Sequence, residues 1–465
     1  MKLWIDNIGI VKDSEIEING MTVITGYNNS GKTTVGKVLY SLISAVENLR
    51  ESALRDKVNY AKEKLSGVLN DLRWWVIVIH DDEESELELH EIEAMNDIIK
   101  VMQIVGETKG LKLCLDELIS HLKKLKVLLE TREKMQNMGE ITRKFNEYYE
   151  IINNISKTIL QDEELVEYAN AKIDNTLKQE FNYQILPVGS ENVIGKVCLS
   201  DESKMIFNVE IEHNEVIRKK ETYIPICEKE ILFIDNVFIL DELAEKNKKS
   251  TASGFQTVSL SKTTKKEFLS AIPGKGHNNK LTKELLHKDQ NLFQDILNKK
   301  AAKEIFDKLN TVFDDEVTIS DGEVICAKSK IDIRNLAMGA KMFAMLKTLL
   351  ENGSIKENTV LILDEPEVHL HPEWQNILAE LLVLLQHQMG VTILLTTHSP
   401  QFLMAIETFA KKYQINEKFK VYATMKNAQD KFVTYQDVTD SLKEAYYRLS
   451  KPMFDMKSVK DELEN

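Results

Sequence analysis

Proline is scarce in this chain of 465 residues, with only 7, and none falls between residues 45 and 186. Glycine is sparse over the same stretch, so little there interrupts a helix. Cysteine is as rare. Cys114, Cys198, Cys227 and Cys326 are scattered without CxxC spacing, which indicates neither a zinc site nor a disulfide framework. No apolar run approaches the roughly 18 to 20 residues of a membrane span, and the N-terminus enters a strand without a signal peptide. A globular, cytoplasmic protein with no membrane contact is expected. Positive charge is in deficit: 60 Lys and Arg against 74 Asp and Glu leave a net charge of −14. Any contact with nucleic acid must therefore be a local patch.

What is present is a phosphate cradle. A β-branched run to Thr25 meets Gly26-Tyr27-Asn28-Asn29-Ser30-Gly31-Lys32-Thr33-Thr34, and an apolar-periodic helix follows. The residues between Gly26 and Gly31 let backbone N–H groups curl around an anionic oxygen, and the helix opening near Gly31 aims its positive end at the same place. Lys32 adds a cation for the β and γ phosphates, and Thr33 places a hydroxyl where Mg²⁺ sits between them. Asn28 and Asn29 tolerate left-handed dihedrals. A glycine-rich turn without a ligand would need neither the Lys-Thr pair nor this strand and helix. Gly26 to Thr34 are thus the expected nucleotide contacts, with ATP and Mg²⁺ as the bound species.

Far along the chain, Val360-Leu361-Ile362-Leu363-Asp364-Glu365 reads as a buried parallel strand ending in two carboxylates. Asp364 suits the Mg²⁺ shell together with Thr33, and Glu365 suits polarising the attacking water. Thr392 to Pro400 is a further strand that closes on His398, which is placed to reach a γ-phosphate. Glu365, His398 and Lys32 are the catalytic candidates.

Asn335-Leu336-Ala337-Met338-Gly339-Ala340-Lys341 opens an amphipathic helix running to about Leu350 and looks like an ABC-type signature. The order of phosphate loop, signature, Asp364-Glu365-Pro366 and His398 resembles the RecF/SMC/OLD branch of ABC ATPases. Asp364-Glu365-Pro366-Glu367-Val368-His369-Leu370-His371-Pro372-Glu373-Trp374-Gln375, with Thr397-His398-Ser399-Pro400, is similar to the OLD-like ATPases of bacterial anti-phage systems, such as the Septu and PARIS ATPase subunits. The match covers roughly residues 1–45 and 300–450. It implies an α/β fold with an ABC-type ATPase head, a mixed sheet with flanking helices. It also implies a homodimer or higher oligomer in which Ala337, Met338, Gly339, Ala340 and Lys341 face the nucleotide of the other subunit in trans. Ala337 stands where the pattern has serine. Losing one such donor costs about 2.7–4 kcal/mol of transition-state stabilisation, so slow ATP hydrolysis is expected. No convincing Q-loop glutamine is found, and the polar end of Ile231-Leu232-Phe233-Ile234-Asp235-Asn236 is a weak candidate.

The function this resemblance implies is an ATP-driven switch that controls a separate effector, a nuclease or toxin, in anti-phage defence. The tail after His398 is too short for a Toprim nuclease and lacks the spaced acidic set that holds two metals. A RecF/SMC-like DNA-repair or chromosome-handling ATPase is the alternative, followed by a transporter's nucleotide-binding subunit.

Four parts are expected: 1–45 and 301–465 as the two halves of the head, 46–186 as a helical insertion, and 187–300 as a region of strands and a Lys-rich loop. Leu111, Leu115, Leu118, Leu122, Leu125 and Leu129 form a heptad seam, and Tyr148, Ile152, Ile155 and Ile159 repeat the step. Two antiparallel helices meeting near Gln136 to Glu140 give either a partly coiled-coil arm of roughly 40 Å or a helical subdomain packed on the head. Trp74 to Ile79 reads as a short apolar stretch before an acidic loop. Met205 to Ile226 reads as strands around a turn at His213-Asn214. Lys246 to Lys288 holds ten lysines and two acidic residues. It is either a solvated loop or a segment facing DNA or a partner. A hairpin is expected over Glu316 to Cys326 with Asp321-Gly322 as its turn. His369 and His371 read either as a metal pair or, by resemblance to the D-loop, as part of a loop between subunits.

Overall fold

The computed structural model describes residues 1–79, 86–102, 108–132, 138–160, 165–189, 193–201, 204–217, 227–248, 272, 274, 276–286, 303–313, 317–320, 323–326, 329–426 and 431–464. Strands β1 (Lys2–Asp6) and β2 (Ser14–Glu17) pair antiparallel, as their alternation predicts. β3 (Met21–Thr25) is buried at every residue, and the loop from Gly26 to Gly31 at its end opens helix α1 (Lys32–Val46). Gly31 caps that helix at φ 77°, a left-handed conformation that a side chain disfavours.

The insertion is α2 (Leu49–Ile79), α3 (Glu86–Val101), α4 (Thr108–Arg132), α5 (Met138–Leu160) and α6 (Leu165–Glu180). The leucine seam is not confined to two helices. α3 packs on α4, α4 on α5, and α2 on both α3 and α5. Leu111 to Leu129 therefore sit inside a four-helix bundle with Val58, Leu65, Leu72, Ile92, Met95, Ile141 and Phe145. A heptad stripe suits either arrangement, and the apolar stripes of α2 and α3, which the sequence reading left unassigned, decide for the bundle. Tyr148 donates to Asp71 at 2.6 Å and His121 Nδ1 lies 2.5 Å from Glu91, tying facing helices together. The apolar residues before position 80 are the end of α2, while the acidic loop and residues 133–137 lie outside the described residues; of the expected tip at Gln136 to Glu140, Met138 to Glu140 open α5. α6 leaves the bundle and packs on α1, so the end of the insertion belongs to the head.

The strands of residues 187–300 divide between two sheets of the head. β4 (Gly195–Asp201), β5 (Lys204–Glu212) and β6 (Glu215–Val216) extend the first pair into a five-stranded sheet of order β2-β1-β4-β5-β6. His213 and Asn214, at φ 51° and 62°, make the turn between β5 and β6. β7 (Glu230–Ile234) joins the main sheet instead. α7 (Ile239–Lys248) follows it, and α8 (His277–Leu286) packs on β7 through buried His277 and Leu281. This part of the Lys-rich segment is thus helix in the head, because its apolar residues recur one turn apart. Residues 249–271 lie outside the described residues.

α9 (Lys303–Phe313) precedes a small sheet of β8 (Val317–Ser320), β9 (Glu323–Cys326) and β10 (Ser329–Asp332), a hairpin plus one strand that the sequence did not announce. Then come α10 (Met338–Glu351), β11 (Thr359–Asp364), α11 (Pro372–Met389), β12 (Thr392–Thr397), α12 (Pro400–Lys412), β13 (Phe419–Lys426), β14 (Val433–Asp437) and α13 (Leu442–Glu464). The main sheet has the order β14-β13-β3-β12-β11-β7 and is parallel except at β14. It is a mixed sheet with helices on both faces. Leu361 and Leu363 join the core with α10 to α12, while Val360 and Ile362 join the core with α1. That two-sided burial is why β3, β11 and β12 are apolar almost throughout.

One buried cluster ties these parts. His277 Nδ1 lies 2.7 Å from Glu180 Oε2 at the end of α6, and Nε2 lies 2.9 Å from Asp235 Oδ2 beyond β7. Burial pulls the imidazolium down, but hydrogen bonds and charge from Asp235 and Glu180 win and push it up to about 9. With the folded value above the unfolded 6.5, the pairing contributes fully below about pH 6.5 and is lost as pH rises through about 9. The Tm advantage of the parent over His277→Gln should therefore shrink across that window. A gap in thermal melts that does not change with pH would contradict it.

Candidate nucleotide site

The register of three neighbouring strands builds the site. Asp364 at the end of β11 pairs with Thr396 of β12, and Thr397 pairs with Thr25 of β3, the last residue before the phosphate loop. Residues far apart in the chain therefore share one sheet edge, the carboxyl end where open α/β sheets bind ligands.

Around Lys32 the loop is tight. The buried ammonium donates to the carbonyls of Gly26 at 3.0 Å and Tyr27 at 2.9 Å, and lies 3.1 Å from Glu365 Oε1. The Ser30 hydroxyl donates to Tyr27 O at 2.6 Å, and Thr34 N donates to Gly31 O at 3.0 Å. Of the two asparagines expected to be left-handed, Asn29 is, at φ 57°, and Asn28 is not. Tyr27, exposed, donates to the backbone oxygen of Arg448 on α13 at 2.8 Å.

Thr33 donates to Asp364 Oδ2 at 2.6 Å, and Thr396 donates to Asp364 Oδ1 at 2.5 Å. Burial raises the Asp364 carboxyl, opposed by these two hydroxyls, and the neighbouring charges of Glu365 and Asp235 raise it further. A hydroxyl and a carboxylate whose oxygens lie 2.6 Å apart form a hard oxygen donor pair that fits Mg²⁺. Thr33 and Asp364 are the residues that would hold it. When bound, the ion supplies positive charge to the phosphate oxygens.

Glu365 adopts φ 48°, a conformation that costs a non-glycine residue about 1–3 kcal/mol and tends to persist at functional sites. Its N–H is held by Thr396, whose O and Oγ1 lie at 3.2 and 3.0 Å. The turn brings Glu365 Oε2 to 3.3 Å from His398 Nδ1. The structure thus brings Lys32, Thr33, Asp364, Glu365 and His398 together.

Thr396 and Glu367 were given no role from sequence, and Asp235 takes a different one from the Q-loop expected of it. Thr396 bridges both carboxylate residues, and its signal was the polar residue in register with Asp364. Glu367 is buried and accepts from Thr397 Oγ1 at 2.5 Å. Burial raises its carboxyl against that hydrogen bond. Asp235, at the polar end proposed as a Q-loop, pairs with His277 and acts on Asp364 through its charge.

The signature residues lie elsewhere on the head. Ala337 caps α10 with no side-chain hydrogen bond, and Ala337 and Met338 are exposed. Gly339 packs closely, since a Cβ there would meet the tip of Leu370 at 2.8 Å and the Trp374 ring at 3.0 Å. Ala340 is buried. Lys341 offers no side chain to a second protomer: it is 2% exposed and its ammonium sits 2.6 Å from Asp241. His371 caps α11 by accepting from Glu373 N at 3.4 Å, and among the described residues no His/Cys/Asp/Glu cluster suited to a metal ion includes it or His369.

The sequence profile described as an AAA ATPase domain matches residues 1–403. No curated protein matches the chain. Among solved structures, the SMC head domain from Thermotoga maritima aligns at 9% identity and a TM-score of 0.36, covering 94% of this chain and 98% of that one. The Smc head domain with an extended coiled coil bound to the C-terminal domain of ScpA, derived from Pyrococcus furiosus, aligns at 9% identity and a TM-score of 0.37, covering 99% and 98%.

Thr396→Val keeps the shape of the side chain but leaves Asp364 and the N–H of Glu365 without the hydroxyl. A loss of about 1–3 kcal/mol in denaturant melts is expected. An unchanged midpoint would mean that Thr396 does not carry this bridge.

Proposed function

The chain belongs to the AAA ATPase domain family, and from there we propose that it binds ATP with Mg²⁺ and hydrolyses it slowly at the site of Lys32, Thr33, Asp364, Glu365 and His398. The observation that supports this is the meeting of the phosphate loop, two carboxylates and a histidine at the ends of three adjacent parallel strands. Backbone N–H groups from Gly26 to Thr34 and the start of α1 hold the phosphates, and Lys32 moves from the loop carbonyls to the phosphate oxygens. Glu365, freed from Lys32, accepts a proton from the attacking water. His398, with Nδ1 on Glu365, presents its ring to the γ-phosphate side.

Beyond hydrolysis, we read the protein as an OLD-like switch in anti-phage defence. Two heads close on nucleotide, with Ala337 to Lys341 facing the partner's phosphate through backbone groups, and a separate nuclease or toxin answers to that state. The exposure of Ala337 and Met338 at a helix start supports the trans arrangement. A chromosome-handling or repair ATPase is the second reading, favoured by the ten lysines of 246–288 in an acidic chain. It requires duplex binding that weakens steeply with salt.

Glu365→Gln should still bind ATP while turnover falls by about 10²- to 10⁴-fold. Turnover within about threefold of the parent would remove the general-base role. Ala337→Ser separates two effects. As a helix cap it should add about 1 kcal/mol of stability in any oligomeric state. As a donor in trans it should speed hydrolysis only at concentrations where protomers associate. A gain in hydrolysis rate independent of concentration, or no gain in rate, would withdraw the signature assignment.

A further inference from the structure

Beyond β11 the chain reads Asp364-Glu365-Pro366-Glu367, and the second glutamate is not where an acidic turn residue belongs. Glu367 is 3% exposed. The left-handed turn at Glu365 folds the segment back, and two hydrogen bonds close it: Val368 N to Glu365 O and Leu370 N to Glu367 O, both 3.1 Å. The side chain then lies under the end of β12. Its Oε1 accepts from Thr397 Oγ1 at 2.5 Å and from His398 N at 3.3 Å. Thr397 Oγ1 in turn accepts from Ser399 N at 3.0 Å. The other oxygen, Oε2, is buried with no hydrogen-bond partner among the described residues. A half-satisfied buried carboxyl is a poor device for stability, and such groups gather where geometry serves function.

One carboxyl thus grips the backbone on which His398 sits, from a loop that also carries Glu365. We propose that Glu367 is a positioning residue for hydrolysis, clamping the Thr397-His398 backbone to the loop after β11 so that His398 Nδ1 stays beside Glu365 Oε2. This rests on the ATPase reading above, but the clamp itself is a statement about contacts within the chain. Glu365 and His398 would otherwise hold each other only through one 3.3 Å contact, with His398 41% exposed and Glu365 also drawn to Lys32. Displacing a catalytic group by about 1 Å can cost on the order of 10²-fold in rate.

The test uses the full chain and two substitutions. Glu367→Leu removes the acceptor, and Thr397→Val removes the hydroxyl that donates to it with little change of shape. Each should lower kcat by about 10- to 100-fold, with KM for ATP within about threefold, because the phosphate loop is untouched. Glu367→Gln keeps an oxygen for Thr397 and His398 and should restore turnover to within about threefold of the parent.

A readout independent of turnover is the ¹³Cε1 resonance of His398, assigned by its absence in His398→Gln. In the parent it should shift on Glu365→Gln, and in the Glu367→Leu or Thr397→Val background that response should vanish. If the response persists in both backgrounds, or if both variants keep parental kcat, the proposal is overturned. If the parent proves inactive while the resonance behaves as described, the ATPase reading fails and the clamp stands.

Discussion

The hydrogen bond from Thr33 to Asp364 joins residues 331 positions apart, and much of the molecule is arranged so that it can form. It requires β3 and β11 to end at the same level with β12 between them. Parallel pairing supplies that level, because each strand enters from the same side and its polar terminus emerges at the same edge. Thr396, in register with Asp364, then closes the arrangement from the middle strand by donating to the carboxylate and receiving the N–H of Glu365. The site therefore rests on sheet register, which the two flanking cores enforce, more than on any single side chain.

Between the two halves of that edge the chain makes a long excursion. The head tolerates it because α2 to α5 bury their own apolar stripes against one another and ask little of the sheet. The return is more constrained. α6 docks on α1, β4 and β5 complete the sheet begun by β1, and β7 completes the main sheet beside β11. His277 sits where these returning segments meet, its imidazolium held between Glu180 and Asp235, so the cluster that anchors the insertion also sets the charge next to Asp364.

Local chemistry was legible from residue order alone. Gly26 to Thr34 carry the residue order expected of a phosphate loop, and the apolar runs of β11 and β12 indicate the buried parallel strands that the fold contains, because period and turn chemistry act over a few residues. Alternatives stayed open where one local pattern serves two tertiary arrangements. The leucines from Leu111 to Leu129 satisfy a two-helix seam and a four-helix core equally well, and only the partners on α2 and α3 distinguish them. The lysines around Lys280 and Lys283 suggested a loop, yet His277 and Leu281 one turn apart make that stretch a packed helix. Glu367 looked like any acidic residue after a strand until the left-handed turn at Glu365 carried it inward.

By itself, the sequence determined a strand-loop-helix with the residue order expected of a phosphate loop, two carboxylates at a strand end, a histidine at another strand end, and a long helical insertion. Each of these is encoded within a window of about ten to twenty residues, where propensity and spacing suffice. Tertiary structure decided which strands are neighbours, which sheet receives the segments after the insertion, and which buried groups meet: Thr396 with Asp364, Glu367 with Thr397, His277 with Glu180 and Asp235. Those pairings depend on register and burial between segments hundreds of residues apart, and short-range periodicity carries no information about them.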